Sequence, residues 1–272
     1  MTLPNFLIVG AEKAGTTTLA ATLSRHPDIF MCDPKEPRFF SHNWHKGLDW
    51  YKSLFVTGEG FQTVGEASPA YTCAPVISDV PQRIYDVLGD VKYIYIVRHP
   101  VDRIISHYRH AIQYRWIPAS TPLEHSYELA PSLKNCSRYY YQVERYFPYT
   151  KRSQWHIVVL EELIQSPQPV MDALFEFLGL PRHVISELPH ENKSNNNHTM
   201  PIGYRYFHYL KPLVPNFLAP VVKRQLNYSG KKVDRLSVSA DTYERLSCEL
   251  GEDIRKMSQF AGRDLGALWE IS

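Results

Sequence analysis

Cysteine is scarce in this chain: Cys32, Cys73, Cys136 and Cys248 are scattered through 272 residues with no C-x-x-C pair among them. That spacing argues against a zinc site and a dense disulfide framework, and the four read as free thiols in a reducing cytosol. Long apolar runs are lacking too, and none approaches the length of a membrane span. Charge of one sign is also missing. With 30 basic residues against 28 acidic ones, the net charge of +2 gives no global case for nucleic acid. His42 and His45 lie close together, but no further ligand-type residues cluster with them, so no metal is expected. No internal repeat or low-complexity tract interrupts the sequence. With 44% hydrophobic residues the chain can bury a full core, and one domain over residues 1–272 is expected.

What is present is a glycine loop directly after an apolar run. Phe6-Leu-Ile-Val9 reads as a buried strand, and Gly10-Ala-Glu-Lys13-Ala14-Gly15-Thr16-Thr17-Thr18 follows it. Gly10 and Gly15 have the spacing of a Walker A loop, G-x-x-x-x-G-K-[ST], but Thr16 occupies the lysine position and Lys13 lies inside the loop. A strand, a glycine turn and a helix start aim backbone N–H groups and a positive helix end at an anion. Lys13 on the crown of the loop would face a group being transferred, so a nucleotide other than ATP is expected. The competing reading is a strand-to-helix turn without a ligand. The lysine within the loop and the threonine run weigh against it.

A second buried strand, Lys92-Tyr-Ile-Tyr-Ile-Val97, runs into Arg98-His99-Pro100-Val101-Asp102-Arg103-Ile104-Ile105-Ser106. Pro100 fits the first turn of a helix. Arg98 then stands at the carboxyl end of a strand, where open α/β sheets bind ligands. Ser106 lies about 9 Å along that helix, within reach of a phosphate that Arg98 grips. The alternative is a strand-end arginine and an exposed helix serine.

Together these two elements resemble the sulfotransferase family, whose donor is 3′-phosphoadenosine 5′-phosphosulfate. The resemblance implies that Lys13, Ala14, Gly15, Thr16, Thr17 and Thr18 bind the 5′-phosphosulfate. It assigns Arg98 and Ser106 to the 3′-phosphate, which distinguishes this donor from ATP. Pro34-Lys35-Glu36-Pro37-Arg38-Phe39-Phe40 is similar to the Lys-Glu-x-x-Phe-Phe segment of the heparan-sulfate type of sulfotransferase. In those members the glutamate is the proposed catalytic base, here Glu36, and Lys35 is a candidate acceptor-side group. Cytosolic members, which modify small phenols and steroids, use a histidine in a different segment. Gly65-Glu66-Ala-Ser68-Pro69-Ala-Tyr71 resembles the Glu-x-[Ser/Thr]-x-x-Tyr stretch that lines the cleft, which makes Glu66 and Tyr71 acceptor-side candidates. A capping carboxylate at Glu66 and a packing ring at Tyr71 are the alternatives. The family needs no metal for its reaction.

Sulfuryl transfer moves an SO₃ group in line from a phosphate oxygen to a hydroxyl or amine, so one proton must be removed and charge on the bridging oxygen stabilised. Glu36 suits the first task and Lys13 the second. A carboxylate base works best near neutral pH when burial raises its pKa, and Phe39 and Phe40 are expected to supply apolar walls, with Lys35 pulling the other way. A solvated Lys35-Glu36 charge pair is the competing reading.

Elsewhere Phe61-Gln-Thr-Val64 reads as a short strand, Cys136 to Tyr146 as a core helix, and Gln154 to Leu160 as a further buried strand. Val170, Leu174, Phe177 and Leu178 form the apolar face of a helix that stops at Gly179. Alternating strands and helices with buried-type strands predict a three-layer α/β fold on a mostly parallel sheet with a P-loop-like phosphosulfate loop. A polar, turn-rich stretch opens a loop or lid region over 189–235, in which Lys193, followed by Asn197 and His198, is the candidate for closing over the donor. Tyr243, Leu246, Leu250, Ile254 and Met257 predict a long amphipathic helix ending at Gly262. This tail resembles that of bacterial sulfotransferases.

The function these readings imply is transfer of a sulfuryl group to a hydroxyl or amine of an oligosaccharide, without nucleic acid or a transmembrane segment. A small-molecule or lipid-like alcohol is the alternative acceptor, and a non-catalytic nucleotide- or glycan-binding module the alternative of another class. A P-loop kinase would need a lysine at Thr16. Met1-Thr-Leu-Pro4 leads directly into the first strand without a signal segment, so a cytoplasmic enzyme is expected, unless the chain is the trimmed catalytic domain of a Golgi membrane enzyme.

Overall fold

The computed structural model describes residues 2–189 and 238–271. Its sheet has five strands: β1 (Phe6–Gly10), β2 (Ile29–Met31), β3 (Thr63–Ala67), β4 (Lys92–Val97) and β5 (Trp155–Val159). They run in the spatial order β2-β3-β1-β4-β5, and every pairing is parallel. Parallel strands covered on both faces need apolar side chains on both, and these sequences supply them. Leu7 and Val9 of β1, with Tyr93, Tyr95 and Val97 of β4, enter one core. Phe6 and Ile8, with Ile94 and Ile96, enter the other.

The helices among the described residues are α1 (Thr16–Leu23), α2 (Gly47–Ser53), α3 (Val80–Leu88), α4 (Pro100–Gln113), α5 (Leu123–Leu129), α6 (Ser132–Asn135), α7 (Tyr139–Val143), α8 (Leu160–Gln165), α9 (Pro167–Leu178), α10 (Ala240–Ala261) and α11 (Leu265–Trp269). α1, α8 and α9 cover one face through Leu19, Leu163 and Leu174. α2, α3, α4, α7 and α10 cover the other through Tyr51, Ile84, Ile104, Tyr139 and Leu250. This is the expected three-layer α/β arrangement. The chain builds β2 and β3 on one side of β1 and then crosses to β4 and β5 on the other. The order therefore reverses at β1, and the crevice beyond its carboxyl end is where such sheets take ligands.

α9 stops at Gly179 and α10 at Gly262, each glycine in the left-handed conformation that closes a helix. The Ser239 hydroxyl caps α10 by accepting from the Thr242 N–H at 3.1 Å. Two expectations are corrected. The strand expected over 61–64 is Thr63–Ala67, and it passes through Gly65 instead of ending before it. The helix expected over 136–146 is broken, because α7 ends at Val143 and gives way to a tighter turn over Glu144–Tyr146. The cysteines are free, and the sulfurs of Cys73 and Cys136 meet at 2.8 Å although 63 residues separate them. Among the described residues no helix is long and apolar enough to cross a membrane. Lys193, Asn197, His198 and nearly all of the 189–235 region lie outside the described residues.

Candidate active site

The loop after β1 is shaped by close approach. A Cβ on Gly10 would come within 2.0 Å of Thr72 Oγ1, and one on Gly15 within 2.6 Å of Leu160 Cδ1. Gly15 also has φ 94°, which a side chain would resist. It precedes Thr16, where α1 begins, so the first-turn N–H groups of Thr16, Thr17 and Thr18 form the positive end of that helix. Ala14 is fully buried beneath the loop. Lys13 adopts a left-handed φ of 68° and is half-buried. Burial pulls its ammonium below the usual lysine range, against the Glu12 and Glu36 carboxylates, which act the other way.

Arg98 follows β4, the strand hydrogen-bonded beside β1. Its backbone is pinned by Tyr139, whose hydroxyl donates to the Arg98 carbonyl at 2.7 Å. Arg98 Nη1 lies 3.5 Å from the Lys13 carbonyl, so the arginine reaches the glycine loop. Its Nε is buried and has no hydrogen-bond partner among the described residues. A buried guanidinium nitrogen left unpaired is costly, and an anionic ligand would satisfy it. Asp102, whose Oδ2 is 3.8 Å from Arg98 Nη2, and Ser106 stand one turn apart on the same face of α4.

Glu36 sits in the loop after β2, with φ 62°, and Arg38 beside it has φ 51°. Two non-glycine residues in this region need support from around them. Phe39 and Phe40 supply part of it: both are fully buried, and Phe39 stacks on Tyr51 with ring centroids 4.4 Å apart. The Arg38 N–H donates to Ser68 Oγ at 3.0 Å, and Asn43 Nδ2 donates to the Pro37 carbonyl at 2.7 Å. The Glu36 carboxylate receives Lys35 Nζ on Oε1 at 2.9 Å and Arg38 Nη2 on Oε2 at 2.5 Å. Burial alone would raise Glu36, but Lys35 and Arg38 outweigh it and hold the carboxyl below its usual range. Lys35 pulls in the direction read from the sequence, and Arg38 adds to it. The phenylalanines anchor the loop in the core, while two cations face the carboxylate.

Glu66 and Tyr71 also take a different place from the one expected. Glu66 is fully buried, accepting from Tyr51 Oη at 2.7 Å, Tyr71 Oη at 2.8 Å and Ser68 Oγ at 2.9 Å. Burial pushes its carboxyl up to about 7, and the three hydroxyl donors pull against that. With these oxygens engaged inside the protein, Glu66 and Tyr71 support the Glu36 loop from beneath and do not line the cleft. Lys35 Nζ lies between Thr17 Oγ1 and Glu36 Oε1, each at 2.9 Å, and so joins the Glu36 loop to the first turn of α1.

Sequence reasoning missed a polar cluster on α4. Arg103, fully buried, donates to Ser137 Oγ at 2.5 Å, to the Glu12 carbonyl at 3.1 Å and to the Leu133 carbonyl. His107 Nδ1 is 3.2 Å from Arg103 Nη1, and His107 Nε2 is 3.7 Å from Glu12 Oε2. Burial, then Arg103, push His107 down to about 2; burial, then Lys13, push His110 down to about 4. Both rings are therefore neutral near pH 7 and face the glycine loop from the helix side. The 103, 107, 110 spacing along one helix face was the available signal.

The profile of the family described as "Sulfotransferase domain" matches residues 3–204. Heparan sulfate glucosamine 3-O-sulfotransferase 5 of Mus musculus is 31% identical over 195 residues, which cover 67% of this chain and 55% of that protein. Bifunctional heparan sulfate N-deacetylase/N-sulfotransferase 4 of the same species is 31% identical over 204 residues, covering 66% of this chain and 23% of that protein. The chain thus spans about half the length or less of these curated relatives. Among solved structures, a sulfotransferase from Alicyclobacillus acidocaldarius matches with a TM-score of 0.71 and 26% identity, over 99% of this chain and 100% of that one.

Proposed function

The chain belongs to the sulfotransferase domain family, and from that premise we propose that it transfers a sulfuryl group from 3′-phosphoadenosine 5′-phosphosulfate to a hydroxyl or amine of an oligosaccharide. The observation that carries the proposal is the Lys35 bridge. By bonding to Thr17 on one side and Glu36 on the other, it sets a carboxylate beside the helix end that would hold the phosphosulfate. The names of the relatives above support an oligosaccharide acceptor, since both are heparan sulfate enzymes.

The residues present fit the donor. The Nε of Arg98, without a partner among the described residues, and the Ser106 hydroxyl suit the 3′-phosphate, and the N–H groups at Thr16 to Thr18 suit the phosphosulfate. Glu36 takes the proton from the acceptor as the acceptor atom bonds to sulfur. The bond from sulfur to the bridging oxygen breaks, its electron pair stays on the phosphate, and Lys13 offsets the charge that develops there. His107 and His110 are both neutral near pH 7, because burial lowers their pKa values, and so add no positive charge to that of Lys13.

Donor recognition is tested by calorimetry with 3′,5′-adenosine bisphosphate and AMP. Removing one partner of a buried charge-assisted contact costs on the order of 2–5 kcal/mol, so Arg98→Ala should weaken the bisphosphate by that amount and AMP far less. Equal losses for both nucleotides would remove Arg98 from the 3′-phosphate.

A further inference from the structure

Building on Glu36 as the base of sulfuryl transfer, we propose that Arg38 gates it: the guanidinium masks the carboxylate until an anionic group of the acceptor, a sulfate or carboxylate near the reacting atom, draws it away. Both Glu36 oxygens are held by cations. Oε1 receives Lys35 at 2.9 Å, and Oε2 receives Arg38 Nε at 3.1 Å and Nη2 at 2.5 Å. A carboxylate so occupied has neither a free oxygen nor the basicity to take a proton from a hydroxyl.

The two cations are not equivalent. Lys35 is also tied to Thr17 on the donor helix, which keeps it in place when the donor site is filled. Arg38 is more open, with its side chain 45% exposed against 33% for Lys35 and 26% for Glu36. Its backbone is meanwhile fixed, by its N–H bond to Ser68 Oγ and by the Asn43 N–H on its carbonyl at 3.0 Å. The side chain can therefore leave Glu36 while the loop holds its shape.

Guanidinium binds sulfate and carboxylate through the same planar fork, so an anionic acceptor exchanges one partner of Arg38 for another. A neutral acceptor has to break the pair without replacement. Among the described residues, the other charged or titratable groups that act on Glu36 include Lys35 on its own loop, Glu12 and Lys13 on the glycine loop, and His110 on α4. These stay in place in both states, so the change in basicity comes from Arg38. Once unmasked, Glu36 receives the acceptor proton in the step already described, and atoms and charge balance without another reactant.

The test reads Glu36 itself and needs no turnover. In protein carrying ¹³C-labelled glutamate carboxyls, with the resonance assigned by its loss in Glu36→Gln, the pH titration of Glu36 is followed with 3′,5′-adenosine bisphosphate bound. An N-sulfated heparan oligosaccharide should move its midpoint upward by about one pH unit or more, and an uncharged cello-oligosaccharide should not. In Arg38→Gln the midpoint should start high and ignore both sugars, and turnover should lose its preference for anionic over neutral acceptors. A midpoint unchanged by Arg38→Gln, or moved equally by the heparan probe with and without Arg38, would overturn the gate. If no sulfuryl transfer occurs at all while the midpoints behave as expected, the function assigned to the site falls and the Arg38 coupling stands.

Discussion

Lys35 Nζ donates to Thr17 Oγ1 at 2.9 Å, tying the loop that carries Glu36 to the first turn of the helix that would hold the donor. The loops come from different strands, β2 and β1, which are not neighbours in the sheet because β3 lies between them. Their contact is made by side chains at the carboxyl ends of the strands. Lys35 is thus a strut between two loops, whereas the role proposed for Lys13 is to offset charge on the bridging oxygen.

That difference can be measured. Lys35→Met should weaken binding of 3′,5′-adenosine bisphosphate by no more than about fivefold, because the pair is partly exposed and such contacts are worth at most about 1 kcal/mol. Lys13→Ala should lower kcat by more than it raises KM for the donor, since its charge counts most when the bridging oxygen becomes negative. A pure KM effect at Lys13 would reduce it to a binding group.

Glu66 makes stability depend on pH. Its native carboxyl titrates at about 7 against an ordinary 4.5, so the folded protein holds a proton that the unfolded chain gives up. The stability this contributes is full below pH 4.5 and is lost as the pH rises through 7, a span of about 3 kcal/mol. His107 acts in the opposite sense: its folded value of about 2 against 6.5 contributes stability above pH 6.5 that is lost as the pH falls. Comparing Glu66→Gln with the parent cancels the histidine effect. Denaturant unfolding at several pH values should show the variant gaining on the parent between pH 4.5 and 7, and a constant difference across that window would contradict the buried-carboxylate network.

The parts of this site that were legible in the sequence are those fixed by local chemistry. The glycine spacing, the strand running into Arg98-His99-Pro100 and the helix-ending glycines depend on neighbours within a few residues. What was not legible depends on side chains from distant segments. Glu66 is withdrawn from the cleft because Tyr51, 15 residues earlier, reaches it at 2.7 Å, and nothing local to Glu66 announces that partner. Glu36 lies below its usual range because Lys35, legible beside it in the sequence, is joined by Arg38, which turns back onto the carboxylate from a left-handed backbone that Pro37-Arg38 does not signal. β2 escaped notice because three residues are too few to show a period.

The central claim is that Glu36 takes the acceptor proton during sulfuryl transfer. It is tested most directly by following radiolabelled sulfur from 3′-phosphoadenosine 5′-phosphosulfate to an N-sulfated heparan oligosaccharide in the presence of EDTA, with the parent protein and Glu36→Gln side by side. The account predicts transfer by the parent without added metal, and a fall of about 10²–10⁴ in kcat for Glu36→Gln with donor affinity nearly unchanged. A Glu36→Gln protein that transfers label at the parental rate would contradict it.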